Sequence, residues 1–363
     1  MESPHRIACL DGFRGFAILM VTMFRFGSHA FTEDLVGRLP SKIFLIGTAG
    51  VDFFFVLSGF LITGLLLDAK ENSDHYYSRF YMRRALRIFP LYFASLFLFL
   101  VVLPFLGNTK VTDTIDGSTL HLWIYTTNLV VAWNNEWCFG CMNHFWSLAI
   151  EEQFYLVWPV VIALLRPNKI ATLCIVSFVI LAVARICFSV AGLGDASEKS
   201  FTLFRMDGLL LGAIASIHFR NQGINGFAID RSRWNIGLIA CLGCYGMSLL
   251  LGNNDYTIRF TSVSLLATCL LLSVLSSNPE SWQRKIFEIG WLRSLGKYSY
   301  AMYIFQGPLV PLVDAYVSPS KTIANAGLYT LAMLATTYLL SVISWYAFER
   351  WFLAIKDRIA FAK

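Results

Sequence analysis

Two adjacent glutamates, Glu151 and Glu152, interrupt an apolar run that extends from His144 to Leu165. A run of that length spans a bilayer. A carboxylate near the membrane midplane costs roughly 2.5–3.5 kcal/mol on insertion scales, so the fold must give this pair partners or a wet cavity. At 100° per residue His144, Ser147, Glu151 and Tyr155 fall in one narrow arc, with Glu152 about 80° from His144. One reading is a pair of buried carboxylates that arginines of neighbouring helices satisfy, serving helix assembly alone. The other is a functional site inside the membrane.

Composition places the rest of the chain in the same setting. It is 56% hydrophobic and only 14% charged, with a mean hydropathy of +0.60, where soluble domains carry about 25% charged residues. The sequence therefore predicts an all-α polytopic membrane bundle, a single integral-membrane domain over 1–363. The net charge of +6 sits in short basic segments between apolar runs, which is membrane topology and not a nucleic-acid surface. Of the eight cysteines only Cys138 and Cys141 lie in a polar loop. With no second such pair to complete a zinc site, the spacing predicts a local disulfide and no metal. The first apolar run contains Asp11, Arg14 and Arg25, so it does not read as a cleavable signal.

Runs of spanning length occur at about 8–26, 43–67, 88–106, 144–165, 170–192, 201–218, 235–252, 258–276, 299–316 and 325–348. A shorter stretch at 120–133 holds His121 and Asn128. If it does not span and the N-terminus is cytoplasmic, the inner segments hold 19 Lys/Arg and the outer loops five, Arg38, Lys42, Lys110, Lys199 and Lys321. Letting it span moves the later basic segments outside, against the positive-inside rule. The expectation is ten transmembrane helices, both termini cytoplasmic, with 107–142 an external loop carrying an interfacial helix.

Further polar residues cluster inside these runs. Asp11, Arg14, Thr22, Arg25 and His29 share one face of the first helix, either as a polar track or as snorkelling anchors. Between the second and third runs stand Arg79, Arg83, Arg84 and Arg87, all arginine. They are either a positive-inside anchor or a bidentate phosphate site. Arg205 is a counter-ion for an intramembrane carboxylate, placed in one helix with Asp207, Gly208 and Gly212. Tyr300, Tyr303 and Gln306 offer hydroxyl and amide groups to a sugar, or else belong to an aromatic belt.

These segments resemble the membrane acyltransferase 3 family, which includes bacterial O-acetyltransferases of lipopolysaccharide, exopolysaccharide and nodulation factors. The likeness runs through Leu10-Asp11-Gly12-Phe13-Arg14-Gly15, Gly50 to Thr63, Arg84-Ala85-Leu86-Arg87 and His144 to Pro159. It implies acyl transfer, usually of acetyl from cytosolic acetyl-coenzyme A, to a hydroxyl of a cell-envelope or exported glycan or glycolipid, in the bacterial inner membrane. On that likeness acyl-CoA is a donor substrate and not a permanently bound cofactor, and the partners are the glycan acceptor and membrane lipid. Arg84 and Arg87, with Arg14, would hold the donor, and Asp11, Asp52, Arg205 and Tyr155 would belong to the polar core with Glu151 and Glu152.

Three positions depart from the family's pattern. Arg25 stands where members carry a catalytic His, Gln306 where His is common, and Trp351 where Pro is usual. Arginine is no general base at neutral pH, though its fixed charge can stabilise a thioester oxyanion. The proton then falls to His144 with Glu151, ahead of His29. The alternative is a catalytically silent homologue that binds or moves a glycolipid. An ion-coupled transporter would leave the arginine segment unexplained.

Overall fold

The computed structural model describes residues 8–31, 46–72, 75–192, 194–227, 231–250, 256–317 and 322–361. Helices make up its regular structure, and no strand occurs among the described residues. Ten of them run 20 residues or more: α1 Ala8–Ala30, α2 Ala49–Asn72, α3 Tyr76–Phe97, α4 Phe145–Leu164, α5 Pro167–Val190, α6 Asp207–Phe227, α7 Arg231–Leu250, α8 Tyr256–Leu275, α9 Gly290–Asp314 and α10 Ile323–Ser344. A last helix, α11, covers Arg350–Phe361.

Local sequence explains several boundaries. α1 has Asp11 in its first turn and His29 in its last, each suited to the helix dipole. Leu165 turns extended at ψ 150° and ends α4, and Pro167 opens α5 as its first helical residue and holds Arg166 extended at ψ 154°. Among the described residues six helical segments are long and apolar enough to cross a membrane: Ile46–Glu71, Tyr76–Phe105, Phe145–Leu164, Pro167–Val190, Ile258–Leu275 and Ile323–Ile355. α5 turns Ile175, Val176, Val179, Ile180 and Val183 outward, exposed apolar side chains for which lipid is the matching solvent. The chain is an integral membrane protein.

α1 and α9 are less apolar and lie inside the bundle. Their backbones touch, because a Cβ on Gly15 would overlap the Leu292 carbonyl oxygen and one on Gly296 the Asp11 carbonyl oxygen. α2 and α6 meet the same way, Gly212 against the Val56 carbonyl and Gly59 against that of Leu209. Small residues allow this approach where water drives no helix association.

The structure corrects four sequence expectations. The third helix begins ahead of the apolar run at 88: Arg79, Arg83, Arg84 and Arg87 lie in α3 itself, since Arg, Met, Ala and Leu are good helix formers and hydropathy alone misses the polar first turns. The 120–133 stretch is two short helices, Leu120–Trp123 and Thr127–Asn134, broken at Tyr125, whose φ is 55°. Arg205 is not in α6; Asp207 opens that helix by accepting from the Gly208 N–H, and Arg205 ends the separate turn Thr202–Arg205. Cys138 and Cys141 are free thiols. Burial pushes both above the ordinary thiol value, so they stay protonated and poor at exchange. Arg38, Lys42 and Lys321, three bases expected outside, fall outside the described residues, as does the start of the second run at 43–45.

Candidate functional site

α4 brings Ser147, Glu151, Glu152 and Tyr155 to a cavity of about 110 Å³. α3 contributes Arg84 and Arg87 to it, α1 Arg14, α2 Ser58, and α9 Tyr300 and Tyr303. Three guanidinium groups thus share one partly open cavity with two carboxylates, an excess that favours an anionic guest. The Tyr155 hydroxyl donates to Glu151 Oε2 at 3.1 Å and lies 2.5 Å from the Ser58 hydroxyl. The Arg84 guanidinium stands over the Tyr155 ring, 5.4 Å from its centroid. Tyr300 is pinned by its hydroxyl to the Ile88 carbonyl at 2.8 Å. Arg14 is steadied by Asp11 at 3.2 Å, so Asp11 serves the cavity through Arg14 without lining it.

Toward the N-terminal end of α4 two lining residues, Ser147 and Tyr303, are hydrogen-bonded to each other. Tyr303 donates to the His144 carbonyl at 2.8 Å, and because that oxygen only accepts, Ser147 donates to Tyr303 at 2.6 Å. Beyond it, Arg25 donates from Nη2 to the Cys141 carbonyl at 2.6 Å, and His144 Nδ1 meets the same oxygen at 3.1 Å. The carbonyl belongs to the turn Gly140–Met142, which the Cys141 N–H fastens to Thr114 at 3.1 Å. His144 and Glu151 share a helix face, but the His144 ring packs on Tyr303 while Glu151 bonds Tyr155.

Three other expected residues, Asp52, Arg205 and His29, sit elsewhere. Asp52 pairs with Arg205 at 2.6 Å, both almost fully buried, with the Arg205 guanidinium 3.7 Å from the centroid of the Phe260 ring. A second buried pair, Arg185 to Asp207 at 3.1 Å, adjoins it. Neither pair lines the cavity. His29 meets Asp314 at 2.7 Å, and Tyr329 donates to the other oxygen of that carboxylate at 2.7 Å.

Sequence reasoning missed Ser58, Gln153, Arg185 and Asp314. Gln153 is the most instructive. Its amide nitrogen donates to the Tyr125 carbonyl and to Asn128 at 3.1 and 3.0 Å, and its oxygen accepts from Thr202 at 2.6 Å. It fastens the 120–134 helices and the Thr202 turn to α4. A third polar residue directly after two glutamates in an apolar run was the signal available. Among the described residues no group of three His, Cys, Asp or Glu is arranged to hold a metal ion.

A family model described as an acyltransferase domain matches residues 7–346. The chain is also similar to the O-acetyltransferase OatA of Staphylococcus aureus strain NCTC 8325 / PS 47, at 30% identity over 344 residues, covering 87% of this chain and 52% of that protein. The OatA of Staphylococcus aureus strain COL gives the same identity and coverage. The chain therefore spans about half the length of these relatives. No solved structure matches.

Proposed function

Since the chain belongs to the acyltransferase family whose model covers residues 7–346, we propose that it is a membrane O-acyltransferase. It moves an acyl group, acetyl by preference, from cytosolic acyl-coenzyme A to a hydroxyl of a cell-envelope or exported glycan or glycolipid. The observation that carries this reading is the cavity that unites Arg14, Arg84 and Arg87 with Glu151 and Glu152. Guanidinium groups bind phosphate bidentately, and acetyl-coenzyme A enters as a substrate that leaves after each turnover. The relatives' name, O-acetyltransferase, supports the acyl group and the oxygen acceptor, and gives no support to a catalytically silent glycolipid binder.

In this reading the ten long helices all cross the bacterial inner membrane as one domain over 1–363, with both termini cytoplasmic and 107–142 outside. The inward-lying arginines of α3 then meet the donor, and the acceptor approaches from the 107–142 side. Asp52 and Arg205 support the polar core as a neutralised pair, and His29 with Asp314 stands at the outer end of α1.

Arg84→Lys and Arg87→Lys test the donor site while keeping the charge and the topology. Each lysine offers a point charge where the arginine offers a fork, so coenzyme A affinity falls about 10-fold in each variant. Parental affinity in both, measured on purified protein, would reduce the segment to a membrane anchor.

A further inference from the structure

The cavity changes character along its length, and helix register gives the direction of the change. α2 and α4 run side by side in the same sense, since the Ser58 hydroxyl meets that of Tyr155 at 2.5 Å and, farther along both helices, Trp158 Nε1 donates to the Thr63 hydroxyl at 2.9 Å. The level of Ser58 and Tyr155 is also that of Arg84, whose guanidinium stands over the Tyr155 ring. Seven residues back along each helix, about 10 Å by helical rise, Val51 of α2 and Leu148 of α4 line the same cavity. Phe54 lines it on the α2 face that carries Val51 and Ser58. Its ring meets the Tyr303 ring edge-on, centroids 6.3 Å apart, and packs against two hydrophobic core clusters. The hydroxyls at this end, Ser147 and Tyr303, are engaged with each other and with the His144 carbonyl.

One end of the cavity is therefore ionic and the other apolar. An acyl-coenzyme A molecule has the same polarity: its phosphates are charged, and its acyl group, at the opposite end of the pantetheine arm, is hydrocarbon. A donor with its phosphates on the guanidinium groups directs its acyl group toward Val51, Phe54 and Leu148. The aromatic ring there has a consequence for size. In an open apolar channel each further methylene of the acyl chain is buried and strengthens binding roughly 4-fold. A ring packed among core side chains does not give way, and a tight apolar site is strained by added methylenes.

We propose that Phe54 is the residue that sets acyl-chain length, so that the apolar end of the cavity takes acetyl and turns away longer chains. The proposal rests on the acyl-transfer reading above and adds to it the determinant of donor selectivity. Phe54 meets the methyl group of the acyl chain and takes no part in bond making. An acetyl group stops short of the ring. A butyryl group carries two more methylenes into the space that the ring fills.

Equilibrium binding to the purified full-length protein, with no acceptor present, reads this pocket directly. The probes are coenzyme A, acetyl-coenzyme A and butyryl-coenzyme A. The parent binds the butyryl thioester about 10-fold more weakly than the acetyl thioester. Phe54→Ala removes the ring and reverses that order, with the butyryl thioester about 10-fold tighter, while coenzyme A itself binds as in the parent. Each ratio is taken within one preparation, so a partly unfolded variant gives the same ratio as a fully folded one. If Phe54→Ala binds no coenzyme A at all, Leu148→Ala decides: it enlarges the same end from the other helix and moves the butyryl-to-acetyl ratio in the same direction. A parent that prefers the butyryl thioester, or variants that keep the parental ratio, overturn the role of Phe54. A parent that binds no coenzyme A overturns the donor reading of the cavity, whereas one that binds coenzyme A and does not distinguish the two thioesters overturns the length selection alone.

Discussion

Arg205 and Asp52 meet at 2.6 Å with about 2% of each side chain exposed, so each holds the other in a place where neither is tolerated alone. Removing one partner of such a pair costs about 3–5 kcal/mol, while replacing both by neutral groups of similar size is close to neutral. Arg205→Met is therefore expected to lower the thermal midpoint in detergent sharply, and Asp52→Asn with Arg205→Met to recover most of the loss. A double variant as damaged as the sum of the singles would show that the two residues do not act as a pair. The arginine was legible as a counter-ion because a charge inside an apolar run demands one. Its partner was not, since Asp11, Asp52, Glu151, Glu152 and Asp314 in the other apolar runs were all open to it. The Cys141 carbonyl was out of reach altogether: it is a backbone atom 116 residues from Arg25, and no side chain announces it.

Among elements, the contact of α1 with α9 sets the width of the site, because Arg14 and Tyr303 reach the cavity from these two helices. Gly15 and Gly296 let their backbones meet. Gly296→Ala adds a methyl group where a carbonyl oxygen already lies, and overpacking of this kind costs about 1–3 kcal/mol. The variant is expected to melt earlier in detergent and to bind coenzyme A more weakly, as Tyr303 is carried away from Ser147. An unchanged midpoint would mean that the helices part freely here. The long helices were readable from apolar runs, and the Gly208 and Gly212 face was recognised as a contact. The start of α3 was not, because a polar first turn inside a helix looks like a loop to hydropathy. The pairing of α1 with α9 was equally hidden, since glycine spacing says that a helix approaches and not which one.

Across the whole molecule, the proposed topology of ten spans with a cytoplasmic N-terminus divides the loop Lys/Arg 19 inside to five outside, as the positive-inside rule asks. A reporter active only outside the cytoplasm is expected to be silent when fused after Lys363 and active when inserted after Asn134. The opposite pattern would invert the topology and place the α3 arginines away from a cytosolic donor. Membership of the family was legible because its signatures lie in helices α1 to α4, which also build the cavity. The distribution of lipid-facing and protein-facing sides was not, because both solvents select the same side chains. The Gln153 amide has a mechanical consequence at this scale. It follows Glu152 directly on α4, and it grips Tyr125, Asn128 and Thr202 at once. The 120–134 helices are thereby tied to the same stretch of α4 that bears the two carboxylates, so a displacement of those helices is carried to the backbone of Glu151 and Glu152.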